Sequence, residues 1–153
     1  MEKPAPTQPP VHGLIAVDHV GLAVPDLDAA IAFHTTVLGL ELRHREENAE
    51  QGVAEAMLAP ADAPPGSAEI QLLAPLTAES AIATFQDRSG PGLQQLAYRV
   101  RDIEHASATL RAHGLRLLYP DARHGTRGSR INFVHPKDAG GVLIELVQPP
   151  TRH

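Results

Sequence analysis

The amino-acid sequence predicts an α+β protein in which two βαβββ modules in tandem form a curved sheet around a central cleft. One observation behind this is an internal duplication, because residues 17–24 read again at 93–100 and residues 69–75 read again at 143–149. Another is that strand-like alternation and helix-like spacing follow in the same order in both copies. A third is that polar residues stand at matching strand positions. A duplicated module tends to build a pseudo-symmetric structure, so these side chains are expected to meet on the axis between the copies.

The duplication divides the chain into five segments. They are a disordered leader over 1–13, the first βαβββ module over 14–76, a linker helix and turn over 77–92, the second module over 93–149 and a tail over 150–153. The leader contains four prolines and no apolar run, so it does not resemble a signal peptide.

The first module is predicted to contain four strands and one helix. Residues 15–24 alternate between apolar and small or polar side chains, as a half-buried strand does. Asp26 can cap a helix that runs to Leu38, and Gly39 can end it. The remaining strands are predicted at 40–45, 49–58 and 68–73, with a loop rich in Pro and Ala at 60–66.

The second module repeats this plan after the linker. The linker is predicted to hold a short helix between Thr77, its N-cap, and Ser89. The strand over 93–100 then leads to Asp102, which caps a helix over 103–113. Three more strands are predicted at 115–119, 129–134 and 141–148, with a loop of Gly and Arg residues at 123–128.

The composition limits the classes of partner and cofactor. The net charge of −5 and the small number of aromatic residues, three Phe, two Tyr and no Trp, argue against a nucleic-acid partner. No apolar stretch approaches the length that crosses a membrane, and the protein is expected to be soluble and cytoplasmic. There is no cysteine, so any metal must be held by histidine, carboxylate or amide oxygen.

The polar residues that repeat between the copies form the candidate site. In the first strand the side chains of His19, Gly21 and Ala23 share one face, and the aliphatic side chains between them share the other. The first face suits a cleft, and the second suits packing against a helix. A carboxylate between two aliphatic residues, such as Glu145, is costly to bury unless it is paired or bound to a cation. Four residues are expected to converge in the cleft: His19, Gln71, Gln95 and Glu145.

Several stretches of the sequence resemble a known superfamily. They are Asp18-His19-Val20-Gly21-Leu22-Ala23-Val24, residues 50–58 (Glu-Gln-Gly-Val-Ala-Glu-Ala-Met-Leu), residues 70–73, residues 128–138 with the turn His135-Pro136-Lys137-Asp138, and residues 141–148. On these residues the chain resembles the vicinal oxygen chelate (glyoxalase/bleomycin resistance) superfamily, and within it most resembles the methylmalonyl-CoA epimerases. The resemblance covers residues 14–149 and implies two βαβββ modules around a divalent metal.

The resemblance implies a metal site and a reaction. The family's metal ligands would fall on His19, Gln71, Gln95 and Glu145, but this chain has Gln94-Gln95 where the family usually has a His-His pair. Amide oxygen can replace imidazole, so a site for Co²⁺, Mn²⁺, Mg²⁺, Ni²⁺ or Zn²⁺ is still expected, with weaker affinity than a site with two histidines. The reaction would be the epimerisation of methylmalonyl-CoA, or another 2-substituted malonyl-CoA, by metal-assisted 1,1-proton transfer through an enolate.

The resemblance also implies roles for individual residues. Glu55 would be the catalytic base, and Glu145, or a water beside it, would act on the opposite face of the substrate. Lys137, Ser129 and Arg130 would bind the acyl-CoA substrate. Family habit and the exposed strand edges favour a homodimer.

The change at Gln95 leaves two other functions open. The chain could be a vicinal oxygen chelate paralogue recruited to another isomerase, lyase or cyclase reaction of a natural-product pathway, without need of a metal. It could also be a small-molecule-binding resistance protein of the same superfamily. Proteins of that kind tend to line their clefts with aromatic residues, and this chain has few.

Overall fold

The computed structural model describes residues 9–151, which form eight strands and three α-helices. In chain order they are β1 (Leu14–Ala23), α1 (Leu27–Ala32), β2 (Leu40–Asn48), β3 (Val53–Pro60), β4 (Glu69–Pro75), α2 (Ala81–Ser89), β5 (Gly92–Val100), α3 (Ile103–Ala112), β6 (Arg123–His124), β7 (Arg130–Val134) and β8 (Ile144–Gln148). Each half has the order βαβββ, and α2 connects the halves, as the sequence predicts.

A single eight-stranded sheet has the strand order β2-β3-β4-β1-β5-β8-β7-β6. The two modules join at its centre, where β1 and β5 pair antiparallel. On either side, β4 runs parallel to β1 and β8 runs parallel to β5. The sheet is strongly curled into a half-barrel, and the cleft lies against its inner face. The predicted fold class is therefore confirmed.

The two faces of the sheet carry different apolar clusters. On the outer face, Leu27 of α1 packs in one cluster with Leu72, and Ile103 of α3 packs in another with Leu146. Burial of these aliphatic side chains under the helices turns the alternate residues of each strand toward the cleft. The cleft walls contain two further clusters, which are Ala23, Val53, Leu73 and Ile82 in the first module and Ala97, Ile131, Phe133 and Val147 in the second.

Helix α1 is shorter than predicted. Asp26 caps its start, as expected, but the helix ends at Ala32 and Phe33–Val37 form a π-helical turn. The Thr35 hydroxyl donates to the Ile31 carbonyl, and the β-branched Thr-Thr-Val run crowds the preceding turn. These local interactions explain why the regular α-helical hydrogen-bond pattern does not continue to Leu38.

The predicted strand over 115–119 is wrong. That segment makes a single bridge, from Leu117 to Val134, and the edge strand of the second module is instead β6, inside the predicted loop. Two features prevent a ladder over 115–119. Pro120 has no amide hydrogen to donate, and the Arg116 side chain is bound to Asp138 in the turn after β7.

Two elements in the first half and linker begin later than predicted by three residues or more. Strand β3 begins at Val53 rather than at 49, because residues 49–52 form a turn whose glycine has φ of +71°. Helix α2 begins after Ser80, whose hydroxyl accepts a hydrogen bond from the Ala83 amide, and not after Thr77. The better-placed hydroxyl therefore acts as the N-cap.

Residues 1–8 of the predicted leader and residues 152–153 of the predicted tail lie outside the described part of the chain. Residues 9–13 form no helix or strand, but they contact the second module. Val11 packs against the cluster around Ile103, and the Gly13 carbonyl accepts a hydrogen bond from the Arg101 amide at 2.8 Å. Over residues 9–151, no helix is long and apolar enough to cross a membrane.

Candidate active site

Gly21 in β1 lies between two of the predicted metal ligands. It is paired with Gln71 of β4 on one side and with Gln95 of β5 on the other. A Cβ atom at position 21 would lie 2.5 Å from Cγ of Gln95, although the φ of Gly21 is not positive. Glycine is therefore required here by the close approach of the Gln95 side chain and not by its own backbone conformation.

Ala97 in β5 occupies the same position relative to the other two predicted ligands. It is the counterpart of Gly21 in the second module, it is fully buried, and it pairs with His19 of β1 and Glu145 of β8. The duplication thus places a small residue between two polar residues in each half of the sheet centre. The small residues leave room for all four polar side chains on the cleft side.

The four polar side chains meet in the cleft, where the duplication predicts them. Nε2 of Gln95 lies 3.0 Å from Oε1 of Gln71, 2.8 Å from Oε1 of Glu145 and 3.2 Å from Nε2 of His19. Nε2 of His19 also lies 2.8 Å from Oε1 of Glu145. All four residues are buried. Two of these side chains come from each module, so the cluster exists only when the modules are joined.

Asp18 and Arg99 hold His19 from the side away from Glu145. Asp18 accepts a hydrogen bond from Nδ1 of His19 at 2.7 Å and another from Nε of Arg99 at 2.8 Å. Burial alone would lower the pKa of His19, but the Glu145 and Asp18 carboxylates at its two ring nitrogens raise that pKa to about 10. Burial opposes ionisation of Asp18 as well, yet the hydrogen bonds from His19 and Arg99 keep the Asp18 pKa below its usual range. The imidazole is thus fixed by a carboxylate on each side.

The donor set fits a hard divalent cation. If the Gln95 amide is turned so that its oxygen faces inward, the possible donors are three oxygens and the His19 nitrogen, and Glu145 carries the single negative charge among them. Oxygens grouped in this way repel one another unless a cation lies among them. With the amide nitrogen facing inward, Gln95 instead donates to Gln71 and Glu145. Within residues 9–151 no three His, Cys, Asp or Glu side chains form a possible metal-binding group, so a metal here depends on the two glutamines.

Glu55 of β3 lies beside this centre. Its Oε2 accepts a hydrogen bond from Nε2 of Gln71 at 3.0 Å, and its Oε1 has no hydrogen-bond partner among the described residues. Burial raises the pKa of Glu55 to about 7, the carboxylates of Glu46 and Glu145 add to this rise, and the charge of His19 opposes it. A carboxyl group with a pKa near neutrality can both accept and release a proton at physiological pH.

Only one of the three predicted substrate-binding residues lies in the cleft. Ser129 lines the cleft and is buried. Arg130, the next residue, projects to the opposite face and pairs with Glu104 of α3, because neighbours in an extended chain point in opposite directions. Lys137 is exposed in the turn after β7 and is not among the residues that line the cleft. The substrate-binding roles of Ser129, Arg130 and Lys137 stay predictions, and of the three only Ser129 faces the cleft.

Five polar residues line the cleft without having been predicted as site residues: Asn48, Gln51, Gln94, Tyr119 and Thr126. The Glu-Gln-Gly-Val stretch is the one sequence signal that could have pointed to Gln51. Nothing in the sequence places Tyr119 or Thr126 in the cleft. Their positions depend on how the segment between α3 and β7 crosses the inner face of the sheet.

Comparison with known proteins agrees with this architecture. The family profile of the Glyoxalase/Bleomycin resistance protein/Dioxygenase superfamily matches residues 18–133. The mitochondrial methylmalonyl-CoA epimerase of Bos taurus is 36% identical, over 91% of this chain and 77% of its own length. The crystal structure of methylmalonyl-CoA epimerase from Mycobacterium tuberculosis is 51% identical, with a TM-score of 0.86 over 96% of this chain and 93% of that one. A Streptomyces coelicolor methylmalonyl-CoA epimerase variant in complex with 2-nitronate-propionyl-CoA is 41% identical, with a TM-score of 0.85 over 90% of this chain and 99% of that one.

These similarities cover nearly the whole chain, and they extend over both modules and the cleft between them. The chain therefore belongs to the Glyoxalase/Bleomycin resistance protein/Dioxygenase superfamily and, within it, to the methylmalonyl-CoA epimerase family.

Proposed function

We propose that this protein is an isomerase that epimerises methylmalonyl-CoA at C2, the carbon between the thioester and the free carboxylate. One observation carries the proposal: the buried Glu55 carboxyl group is hydrogen-bonded to one of four converging polar side chains in a single cleft. The reaction requires a base for the C2 proton and stabilisation of the negative charge that follows its removal. Glu55 and the four-residue centre supply these two requirements side by side.

Glu55 acts as the base in this proposal. Its free Oε1 takes the C2 proton of one epimer, the electron pair of the broken C–H bond moves into the thioester carbonyl, and an enolate that is planar at C2 results. Return of a proton to the opposite face of C2 gives the other epimer. We assign that proton to Glu145 in its protonated form, or to a water beside its carboxylate, since Glu145 is the second buried carboxyl group of the cleft.

His19, Gln71, Gln95 and Glu145 are the residues that would hold a divalent cation. When bound, Co²⁺, Mn²⁺, Mg²⁺, Ni²⁺ or Zn²⁺ supplies Lewis acidity that stabilises negative charge on the thioester oxygen. The amide of Gln95 lowers the affinity relative to imidazole, but the oxygen-rich set favours Mn²⁺, Co²⁺ or Mg²⁺ over a tight zinc site. Asp18 keeps Nδ1 of His19 engaged, so that Nε2 faces the centre.

Deuterium exchange at C2 of methylmalonyl-CoA tests this function. The purified protein is incubated with the substrate in D₂O, with and without added Co²⁺ or Mn²⁺, and the loss of the C2 proton is followed by NMR. We expect exchange that depends on the metal. Exchange without metal would support Glu55 as base and remove the cation from the mechanism. No exchange in either sample would contradict the proposal and favour a recruited paralogue.

We also propose that the protein is a cytoplasmic homodimer. The large apolar side chains of Phe33, Val37 and Leu38 are exposed on the turn after α1, where a second copy could cover them. The edge strands β2 and β6 are other places where copies can pair. Light scattering coupled to size-exclusion chromatography on the full chain should give a dimer mass, and a monomer mass would contradict it.

Cell fractionation of the native host tests the proposed cytoplasmic location.

A further inference from the structure

Four buried polar atoms have no hydrogen-bond partner among residues 9–151, and all four belong to side chains that line the cleft. They are Nε2 of Gln51, Oε1 of Glu55, Oε1 of Gln94 and Oγ of Ser129. A buried polar group without a partner is destabilising, and such groups are rare in folded proteins. Their concentration in one cleft indicates that a bound molecule supplies their partners. Gln51 can only donate through this atom, and Ser129 can donate or accept.

Tyr119 determines which end of the Gln51 side chain faces the cleft. The Tyr119 hydroxyl donates to Oε1 of Gln51 at 3.1 Å, which leaves Nε2 of Gln51 as the free donor. Tyr119 is itself held in place, because its backbone exchanges two hydrogen bonds with the Asn132 side chain and its ring packs edge-on against Phe133. Gln51 therefore presents a donor in a fixed direction.

The Ser129 hydroxyl is kept free by a glycine. Ser129 is 3% exposed, and its backbone is bound on both sides by the turn that contains Gly125 and Thr126. A Cβ atom at Gly125 would lie 2.7 Å from Oγ of Ser129, and the φ of Gly125 is not positive. Glycine at 125 thus leaves the space into which the Ser129 hydroxyl projects.

We propose that Gln51, oriented by Tyr119, and Ser129 bind the free carboxylate of the substrate and give the cleft its specificity for malonyl-type thioesters. This inference rests on the proposed function. Glu55 and Glu145 repel an anion, and the apolar walls around Leu73 and Phe133 cannot bind one, so apart from a cation held by the four-residue centre the carboxylate depends on neutral donors. The Gln51 amide and the Ser129 hydroxyl are the two buried donors that have no other partner among the described residues. Oε1 of Gln94 is an acceptor, so it cannot donate a hydrogen bond to the carboxylate.

Binding of the carboxylate by Gln51 and Ser129 also fixes which face of C2 lies beside the base. Rotation of the substrate about its thioester would otherwise allow the methyl group and the carboxylate to exchange places beside Glu55. With the carboxylate held by Gln51 and Ser129, one face of C2 is presented to the base in each epimer. Gln51 and Ser129 are thus specificity-determining residues, and Tyr119 is a positioning residue that acts through Gln51.

Isothermal titration calorimetry with two ligands tests the inference. Methylmalonyl-CoA carries the carboxylate and propionyl-CoA lacks it, while the rest of the two molecules is the same. We expect Gln51→Leu and Ser129→Ala each to weaken methylmalonyl-CoA binding roughly tenfold to a hundredfold, as for loss of a hydrogen bond to a charged group, and to leave propionyl-CoA binding unchanged. Gln51→Glu should weaken methylmalonyl-CoA binding further, because it places a like charge against the ligand.

Tyr119→Phe distinguishes positioning from general damage. It should weaken methylmalonyl-CoA binding in the wild-type background and add little in the Gln51→Leu background, because its effect acts through Gln51. Gln86→Leu is the matched control: it removes an amide that donates to the Val24 carbonyl outside the cleft and should leave the affinity for both ligands unchanged.

Equal weakening of both ligands by Gln51→Leu, or no weakening of either, would overturn the inference. Those results are separable from failure of the proposed function, which is judged by C2 exchange in the wild-type protein. If the wild type exchanges the proton and the variants do not discriminate between the two ligands, the function stands and the carboxylate pocket lies elsewhere.

Discussion

Glu55 and Gln95 are the two side chains on which the chemistry of this cleft depends most. Glu55 is buried with one oxygen bound by Gln71 and the other free, so it is anchored and still able to reach a substrate. Gln95 stands where the family usually has a histidine, and its amide contacts the other three members of the centre. In the proposed function, Glu55 governs proton transfer and Gln95 governs how well the site can hold a cation.

Replacement of Glu55 by Gln should abolish most of the activity. The amide keeps the size of the side chain but cannot accept the C2 proton, so the exchange rate should fall about a hundredfold to ten-thousandfold, the usual contribution of a general base. Deuterium exchange measured by NMR gives the rate. Glu47→Gln, in the exposed part of the neighbouring strand β2, is the control and should keep the wild-type rate. A Glu55→Gln variant with unchanged exchange would show that another group removes the proton.

Replacement of Asp18 by Asn should weaken metal binding. Asp18 receives the Nδ1 hydrogen of His19 and is itself held by Arg99, an arrangement that orients the imidazole. Loss of such an outer partner typically reduces metal affinity or activity about 10- to 100-fold. Titration with Co²⁺, followed by calorimetry, measures the affinity directly and does not require turnover. Unaltered Co²⁺ affinity in this variant would mean that His19 needs no support from Asp18.

At the scale of the elements, the central pair β1–β5 sets the geometry of the site. Gly21 pairs with Gln71 and Gln95, and Ala97 pairs with His19 and Glu145, so each polar side chain lies beside a residue that takes almost no room. The strand pairing, and not any loop, fixes these distances. The site should therefore be sensitive to small changes of volume in the middle of these strands.

Gly21→Ala should destabilise the protein by about 1–3 kcal/mol, the usual cost of an overpacked core. The added methyl group would lie 2.5 Å from Cγ of Gln95, and the Gln95 side chain would have to move. Chemical denaturation gives the free energy of unfolding. In a Gln95→Ala background the clash is absent, so the cost of Gly21→Ala should largely disappear there. An equal cost in both backgrounds would show that the clash with Gln95 is not its cause.

The turn after β7 should make stability sensitive to acid. Hydrogen bonds from the Arg116 side chain and backbone lower the pKa of Asp138 to about 2, from an ordinary value of 3.8. A carboxyl group with a lowered pKa stabilises the fold above its ordinary pKa, and this contribution is lost as the pH falls from about 4 to about 2. The melting temperature of the wild type should therefore fall more steeply over this range than that of Asp138→Asn. If the melting temperatures of the two proteins fall in parallel with pH, the pair of Asp138 with Arg116 is not the cause of the acid sensitivity.

At the scale of the whole molecule, the cleft belongs to both modules. His19 and Gln71 come from the first, Gln95 and Glu145 come from the second, and Glu46 of β2 also accepts hydrogen bonds from the Thr126 hydroxyl and the Arg127 amide across the cleft. A ligand at the centre therefore ties together two halves that have separate apolar clusters.

Binding of Mn²⁺ or Co²⁺ should raise the thermal stability of the entire protein. A cation at 100 times its Kd stabilises the folded state by about 2.7 kcal/mol, which for a chain of this size corresponds to a rise in Tm of roughly 5–10 °C. Differential scanning calorimetry with and without metal measures it. Gln95→Ala should reduce the rise, since it removes one of the four side chains. A rise of the same size in Gln95→Ala would place the cation elsewhere.

Much of the fold was predictable because its signals are local. Asp26 and Asp102 mark the two helix starts, and alternation marks the strands at 14–23 and 92–100. The segment at 115–119 was not predictable, since its alternation resembles a strand while Pro120 and the Arg116 pair with Asp138 prevent a ladder. A sequence pattern indicates the secondary structure that a segment favours, but not the tertiary contacts that can prevent it.

The sequence by itself determined the two βαβββ modules and the meeting of His19 with Glu145, because a repeat in the chain imposes a repeat in space. The tertiary structure alone decided that Ser129 faces the cleft while Arg130 pairs with Glu104, and that Tyr119 orients Gln51. It also decided the environment that raises the pKa of Glu55 to about 7. The physical reason is the same in each case: burial and hydrogen bonding depend on distances between residues that are far apart in the chain.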